Sequence, residues 1–164
     1  MGGEMGWLRT FLLGVAAGQA SSNPRLSTTP AVRAAYQVSW RQGSYPLSAV
    51  GESNYQDALS RICGGHNRDG HELECLAVVI PEPTNPYDPN AHKVMINGLL
   101  VGYLPRDEAK RFKTQARNAG IAGQAVEVAA LINGGWRTNQ YDEGFFGVRL
   151  GIPLRDDIVF ENIS

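Results

Sequence analysis

Eleven consecutive residues near the middle of the chain are poorly suited to a helix interior or to a central strand. Residues 81–91 (PEPTNPYDPNA) contain four prolines, and each proline fixes φ and removes a backbone donor. β-rich apolar runs stand on either side, ELECLAVVI over 72–80 and HKVMI over 92–96. The sequence therefore predicts a stiff, exposed loop between two strands, whose polar groups would lose little freedom when a ligand docks.

Turn residues divide the rest of the chain into short strands. Asn97-Gly98 lies between the apolar runs 92–96 and 99–104 and is the strongest short signal for a β-hairpin. Further strands are predicted over residues 37–40, 47–51, 124–132 and 145–152, and residues 158–160 could add an edge strand. Residues 139–144 are predicted to form a loop.

Two helices are predicted between the strands. Ser53 is followed three residues later by Gln56, a capping-box pattern that would start a helix ending at Gly64-Gly65. The second helix is predicted over residues 107–119 and is closed by Gly120.

The second helix concentrates positive charge. Arg106, Lys110, Lys113 and Arg117 recur at helical spacing and share one face. With Arg111 they make five cations against Asp107 and Glu108, a net charge of +3 in a chain of net charge −1. A solvated helix face is the plainer interpretation, and a basic ridge that attracts phosphates is the functional one.

Short strands with two intervening helices predict a mainly β, α+β fold, either a small, partly open barrel or a curled sheet. A chain of 164 residues with 43% hydrophobic residues has enough apolar surface for one core. Trp136, Phe145 and Phe146 are expected to pack this barrel and its mouth, and an exposed one could add a second stacking platform.

Three segments are expected along the chain. Residues 1–35 are predicted to be a flexible N-terminal segment and linker, with a short apolar helix over 7–17. That apolar run is too short to span a bilayer, and a cleaved secretory signal is the alternative interpretation. Residues 36–152 form the predicted domain, and residues 153–164 a C-terminal tail or edge strand.

Charge, cysteine content and motifs exclude several classes of function. A net charge of −1 and a pI near 6.3 give no global attraction to nucleic acid or to an anionic membrane, so such binding would need a local cluster. Two cysteines are too few for a disulfide scaffold and favour a reducing, cytoplasmic location. No serine-hydrolase elbow, HExxH motif or phosphate-binding P-loop occurs, and the chain is predicted not to be an enzyme and to need no cofactor.

One group of residues has the side chains that zinc prefers. Cys63, His66, His71 and Cys75 supply suitable ligands, but their spacing matches no standard zinc finger. The alternative is a Cys75 buried on its strand and a free Cys63.

Four blocks of sequence together resemble the HIRAN domain. They are VGESNYQ (50–56), VIPEPTNPYDPNA (79–91), VGYL (101–104) and GVRL (147–150), and the resemblance covers about residues 45–152. HIRAN domains occur beside SWI/SNF-type repair ATPases and, in bacterial proteins, on their own. The resemblance implies a small OB-like β-barrel that binds single-stranded DNA, with the free 3′ end gripped in characterised eukaryotic members. It also implies a role in DNA repair or stalled-fork processing with a separate helicase or nuclease partner.

The resemblance also assigns roles to residues. Tyr87 is expected to stack on a base, Asp88 to accept the terminal hydroxyl, and Asn85 to shape the loop or to lie near a phosphate. The rest of the implied DNA-binding set is Tyr55, Tyr103, Arg106, Lys110 and Lys113. The eukaryotic members have basic and aromatic residues where this chain has Glu52, Ser53 and Asn54.

Plainer roles stay open for the same residues. Asp88 could accept a backbone N–H in an Asx turn, with Tyr87 packed over Pro86. Two other functions also stay open: a non-catalytic protein-interaction or scaffold domain, and a small nuclease in which Glu82, Asp88 and Asp107 hold Mg²⁺.

Overall fold

The computed structural model describes residues 32–164; the expected apolar helix over 7–17 lies outside them. In this part of the chain the strands are β1 (Tyr36–Val38), β2 (Leu47–Ser48), β3 (His71–Pro81), β4 (His92–Ile96), β5 (Leu99–Tyr103), β6 (Val126–Gly134), β7 (Arg137–Asn139), β8 (Asp142–Glu143), β9 (Phe146–Leu150) and β10 (Phe160–Asn162). The helices are a 3₁₀ turn (Glu52–Asn54), α1 (Gln56–Cys63) and α2 (Arg106–Asn118).

Eight of these strands form one curled sheet. Its main path runs β10-β1-β6-β3-β4-β5, and β9 joins β6 to β2. The pairings are antiparallel except for β1 with β6. The sheet curls into a half-barrel, which confirms the predicted mainly β fold with two helices and an OB-like barrel.

Both helices pack apolar faces into the same core as the sheet. Leu59 and Ile62 are buried on α1, and Ala109, Phe112 and Ala116 are buried on α2. The cationic side chains of α2 occupy the other positions of that helix. Neither described helix has both the length and the apolar character that a bilayer crossing needs.

The hairpin between β4 and β5 is confirmed. Ile96 pairs with Leu99, and the two residues between them have positive φ, 51° for Asn97 and 75° for Gly98. A type I′ turn needs positive φ at both central residues, which asparagine and glycine adopt most readily.

The predicted capping box is wrong. Ser53 lies in the 3₁₀ turn, and α1 begins at Gln56 without a side-chain cap. The Gln56 amide instead binds β9: its Nε2 donates to the carbonyl of Phe146 at 2.9 Å, and its Oε1 accepts the N–H of Phe146 at 2.8 Å. The predicted end of this helix is confirmed, because Gly64 caps it with a φ of 79°.

Residues 139–144 do not form a plain loop. Most of them belong to a small hairpin of β7 and β8, in which Arg137 forms an ion pair with Glu143. Beside this hairpin, Phe146 is buried as expected, but Phe145 is 79% exposed and Trp136 is partly exposed. The expectation that all three aromatic residues pack the barrel is therefore wrong for Phe145.

Gly102 allows the chain to approach β5 closely. Val50 and Tyr103 exchange backbone hydrogen bonds of 2.9 Å in each direction. A Cβ atom on Gly102 would lie 3.0 Å from the carbonyl oxygen of Val50. The missing side chain thus lets residue 50 pair with β5, which places the following 3₁₀ turn and Tyr55 near Tyr103.

We expect Gly102→Ala to destabilise the fold by about 1–3 kcal/mol, because an added methyl group forces packed backbone apart. The free energy of unfolding is measured by urea denaturation, and the ring signals of Tyr55 and Tyr103 are followed by NMR. An unchanged denaturation midpoint would show that residue 50 can move away at no cost.

Candidate functional site

The proline loop, residues 82–91, connects β3 to β4 and is closed at its base. The N–H of Glu82 donates to the carbonyl of Ala91 at 2.8 Å, which extends the β3–β4 ladder by one bond. The N–H of Ala91 in turn donates to the carbonyl of Asp88 at 3.1 Å. The loop therefore starts and ends on paired backbone.

Asn85 organises the loop from inside. Its Oδ1 accepts the N–H groups of Tyr87 at 2.9 Å and Asp88 at 3.1 Å, and its Nδ2 donates to Oε1 of Glu82 at 2.7 Å. Both ends of the amide are thus engaged within the loop. Of the two roles named for Asn85, these contacts support shaping the loop.

Tyr87 stands on the outside of the loop. The residue is 88% exposed, although its backbone N–H is fixed by Asn85. The plainer interpretation, with the ring packed over Pro86, would cover far more of it. A ring held by a fixed backbone and open to solvent offers a flat apolar face with a hydroxyl at its tip.

Asp88 has two different carboxylate oxygens. Its Oδ1 accepts the N–H of Asn90 at 2.9 Å, the Asx turn that the plainer interpretation names. Its Oδ2 lies 4.0 Å from Nε of Arg106, the first residue of α2. The Asp88 side chain is 17% exposed and that of Arg106 is 77% exposed. One oxygen therefore holds the turn, and the other points toward a cation at the surface.

Tyr103 connects the loop to β5. Its hydroxyl lies 3.4 Å from each carboxylate oxygen of Glu82, and its ring centroid lies 6.5 Å from that of Tyr55. Burial, and then the charge of Glu82, raise the pKa of Tyr103 to about 12. The hydroxyl is therefore a hydrogen-bond donor at neutral pH.

The cationic side chains of α2 do not all make the same kind of contact. Lys113 donates from Nζ to Oδ1 of Asn90 at 3.0 Å and so braces the loop. Lys110 and Arg117 are exposed on the helix, as is Arg106. Arg111 donates to the carbonyls of Pro153 at 2.8 Å and Asp156 at 2.5 Å. Of the five cations counted on this helix, Arg111 therefore holds the C-terminal segment.

Sequence reasoning missed His92, which lies beneath the loop. This residue is 2% exposed, its Nδ1 is 2.7 Å from the carbonyl of Asn90, and its ring packs edge-on against Phe112. Burial lowers its pKa. The alternation of buried positions along β4 was the available signal, because it places His92 on the same face as Val94 and Ile96.

Glu82 has a structural role that its sequence context did not indicate. It was considered only as a metal ligand, whereas its carboxylate contacts both Asn85 and Tyr103. In the sequence, the local indication of the contact with Asn85 was a carboxylate placed three residues before an asparagine in a proline-rich turn.

The candidate zinc ligands are not assembled. Among residues 32–164, no group of three or more histidine, cysteine, aspartate or glutamate side chains is placed to hold a metal ion. His71 instead contacts the carbonyl of Gly65 at 2.8 Å, and the rings of His66 and His71 pack against Phe146. Burial raises the pKa of Cys63 to about 11 and that of Cys75 to about 12, so both thiols are protonated at neutral pH.

Residues 76–130 match the family model of the HIRAN domain. The matched region runs from within β3 to within β6 and includes the proline loop, β4, β5 and α2. No curated protein and no solved structure matches the chain.

We expect the folded protein to lose stability as the pH falls below about 6.5, the ordinary pKa of histidine. Burial holds the pKa of His92 lower in the folded state, where Lys113 also opposes its charge and Asp88 favours it. The unfolded chain therefore binds this proton first. Urea denaturation between about pH 7.5 and about pH 5 should show a smaller pH dependence in His92→Gln than in the wild type.

His66→Gln is the matched control for this experiment, because His66 packs against Phe146 and away from the loop contacts of His92. If the stability of the wild type and of His92→Gln depended on pH in the same way, the loss of stability at low pH could not be assigned to His92.

Proposed function

We propose, from the match of residues 76–130 to the HIRAN domain model, that the chain is a non-catalytic HIRAN-type module that binds the free 3′ end of single-stranded DNA. The binding surface consists of the proline loop, Tyr103 and the first turns of α2. One observation carries the proposal: the Tyr87 ring is exposed next to Asp88, whose Oδ2 lies 4.0 Å from Nε of Arg106.

Tyr87 supplies the stacking surface. Stacking of a base on an aromatic ring contributes about 1–3 kcal/mol and needs no particular base, because every base has a π-face. The backbone of Tyr87 is held by Asn85, so little further ordering is needed when a base docks.

Asp88 supplies the preference for a terminus. Its Oδ1 is already used by the N–H of Asn90, so Oδ2 is the oxygen that would accept the terminal hydroxyl. A carboxylate accepts a hydrogen bond from a hydroxyl but repels a phosphate at the same place. Arg106 lies close enough to neutralise the neighbouring phosphate of the last nucleotide.

The exposed cations of α2 supply the attraction to the backbone. Lys110 and Arg117 lie on the helix that starts at Arg106. The chain as a whole carries a net charge of −1, so the attraction must be local. Tyr103 and Tyr55 lie at the edge of the same surface as further donors and apolar faces.

The wider role follows from the family resemblance. We place this module in the cytoplasm, in DNA repair or stalled-fork processing, where a separate helicase or nuclease acts on the strand that it holds. The module itself contributes recognition of the end.

The test is fluorescence anisotropy with 5′-labelled oligonucleotides of one sequence that end in a 3′ hydroxyl or a 3′ phosphate. The wild type should prefer the hydroxyl. Tyr87→Ala should weaken binding to both by about 5- to 150-fold, which corresponds to the loss of one stacked base. Tyr141→Ala is the matched control, because Tyr141 is equally exposed but lies in the β7–β8 hairpin.

Asp88→Asn should remove the preference for the hydroxyl, because the amide can keep the Asx turn but no longer repels a phosphate. Asp88→Ala should weaken end binding as well. Weak binding that is equal for both ends and unchanged in these variants would favour a protein-interaction domain. Metal-dependent shortening of the oligonucleotide would favour a nuclease.

The cations of α2 should determine the salt dependence. Lys110→Ala is expected to reduce the slope of log K against log salt concentration by about 0.7, the value for one phosphate of a single strand. The preference for the hydroxyl should stay. Arg68→Ala, outside α2, is the control. An unchanged slope in Lys110→Ala would show that Lys110 does not contact a phosphate of the bound strand.

A further inference from the structure

We propose that Glu82 is a positioning residue for this surface: its carboxylate orients the Asn85 amide, and Asn85 in turn fixes Tyr87 and Asp88. This inference rests on the proposed function only for its binding measurements, because the contacts themselves belong to the free protein.

Glu82 is anchored before it reaches the loop. Its N–H donates to the carbonyl of Ala91, and its own carbonyl accepts the N–H of Asn85 at 3.0 Å. Its side chain then lies over the inside of the turn, where Oε1 is 2.7 Å from Nδ2 of Asn85. This is a short hydrogen bond to a charged acceptor, the stronger class of such bonds.

The carboxylate determines which way the Asn85 amide faces. An asparagine amide has a donor and an acceptor that exchange places when it rotates by half a turn, whereas a carboxylate can only accept. Glu82 therefore holds Nδ2 on its own side and turns Oδ1 toward the N–H groups of Tyr87 and Asp88. A reversed amide would set its donor against those two donors.

Tyr103 is the second contact of the same carboxylate. Its hydroxyl is 3.4 Å from both Oε atoms of Glu82, a longer and weaker contact than the one to Asn85. Glu82 thus links the loop to β5, but the bond to Asn85 is the one that transmits order to Tyr87 and Asp88.

The direction in which a mutation of Glu82 changes the affinity for DNA distinguishes a positioning role from a purely electrostatic one. A negative side chain at a surface that binds a polyanion opposes binding, so its removal should by itself strengthen binding. A positioning role predicts the opposite. We expect Glu82→Ala to weaken binding of the 3′-hydroxyl oligonucleotide by about tenfold, the effect of one lost charge-assisted hydrogen bond.

Two variants make the comparison specific. Glu82→Gln keeps an acceptor at the position of Oε1 and removes the charge, and it should bind within about threefold of the wild type. Asp107→Ala removes an exposed acid of α2 that makes none of these loop contacts, and it should bind as well as the wild type or more tightly. Tighter binding by Glu82→Ala would overturn the inference.

A double-mutant cycle tests whether Glu82 acts through Asn85. If it does, Glu82→Ala combined with Asn85→Ala should bind no more weakly than Asn85→Ala alone, because coupled residues are not additive. Fully additive losses would overturn the inference.

Amide signals give a measurement that needs no oligonucleotide. In ¹⁵N spectra of the free protein, Glu82→Ala should shift the amides of Tyr87 and Asp88 and speed their exchange with solvent, while Glu82→Gln restores them. Unchanged amides in Glu82→Ala would overturn the inference even if the wild type binds DNA. Failure of the wild type to bind would instead reject the proposed function and leave this measurement to decide the role of Glu82.

Discussion

The antiparallel ladder between β3 and β6 is the constraint on which the other parts of the molecule depend. It runs from His71 paired with Gly134 to Val79 paired with Val126. On its opposite edge the end of β3 pairs with β4, and the opposite edge of β6 pairs with β1 and β9. A slip of one residue would turn buried side chains to solvent. It would also carry the proline loop, which continues from β3, away from β5 and α2.

Order in the loop comes from acceptors placed inside it. Pro83, Pro86 and Pro89 restrict the backbone, but they donate no hydrogen bonds, and the remaining N–H groups need partners. Side-chain oxygens of Asn85 and Asp88 accept hydrogen bonds from three of these N–H groups. Tyr87 is thereby left exposed, and a ligand that docks on it would meet a surface that is already ordered.

Features that depend on local backbone chemistry were predictable from the sequence. The Asn97-Gly98 hairpin, the end of α1 at Gly64 and the exposed proline loop each follow from residues that favour one local conformation. Features that depend on distant partners were not. Gln56 binds Phe146, which is 90 residues away, and Arg111 reaches the chain more than 40 residues later. At the candidate site, Tyr87 and Asp88 could be named from the sequence, but the support from Glu82 and from the buried His92 could not.

The contacts of Arg111 have a consequence for variation in the C-terminal segment. Its guanidinium binds main-chain carbonyls of Pro153 and Asp156, so it recognises the path of the chain and not the identity of the side chains there. Residues 153–156 can therefore diverge widely without loosening their attachment to α2. Lysine at position 111 could not replace the arginine, since a single ammonium lacks the planar fork that serves two carbonyls at once.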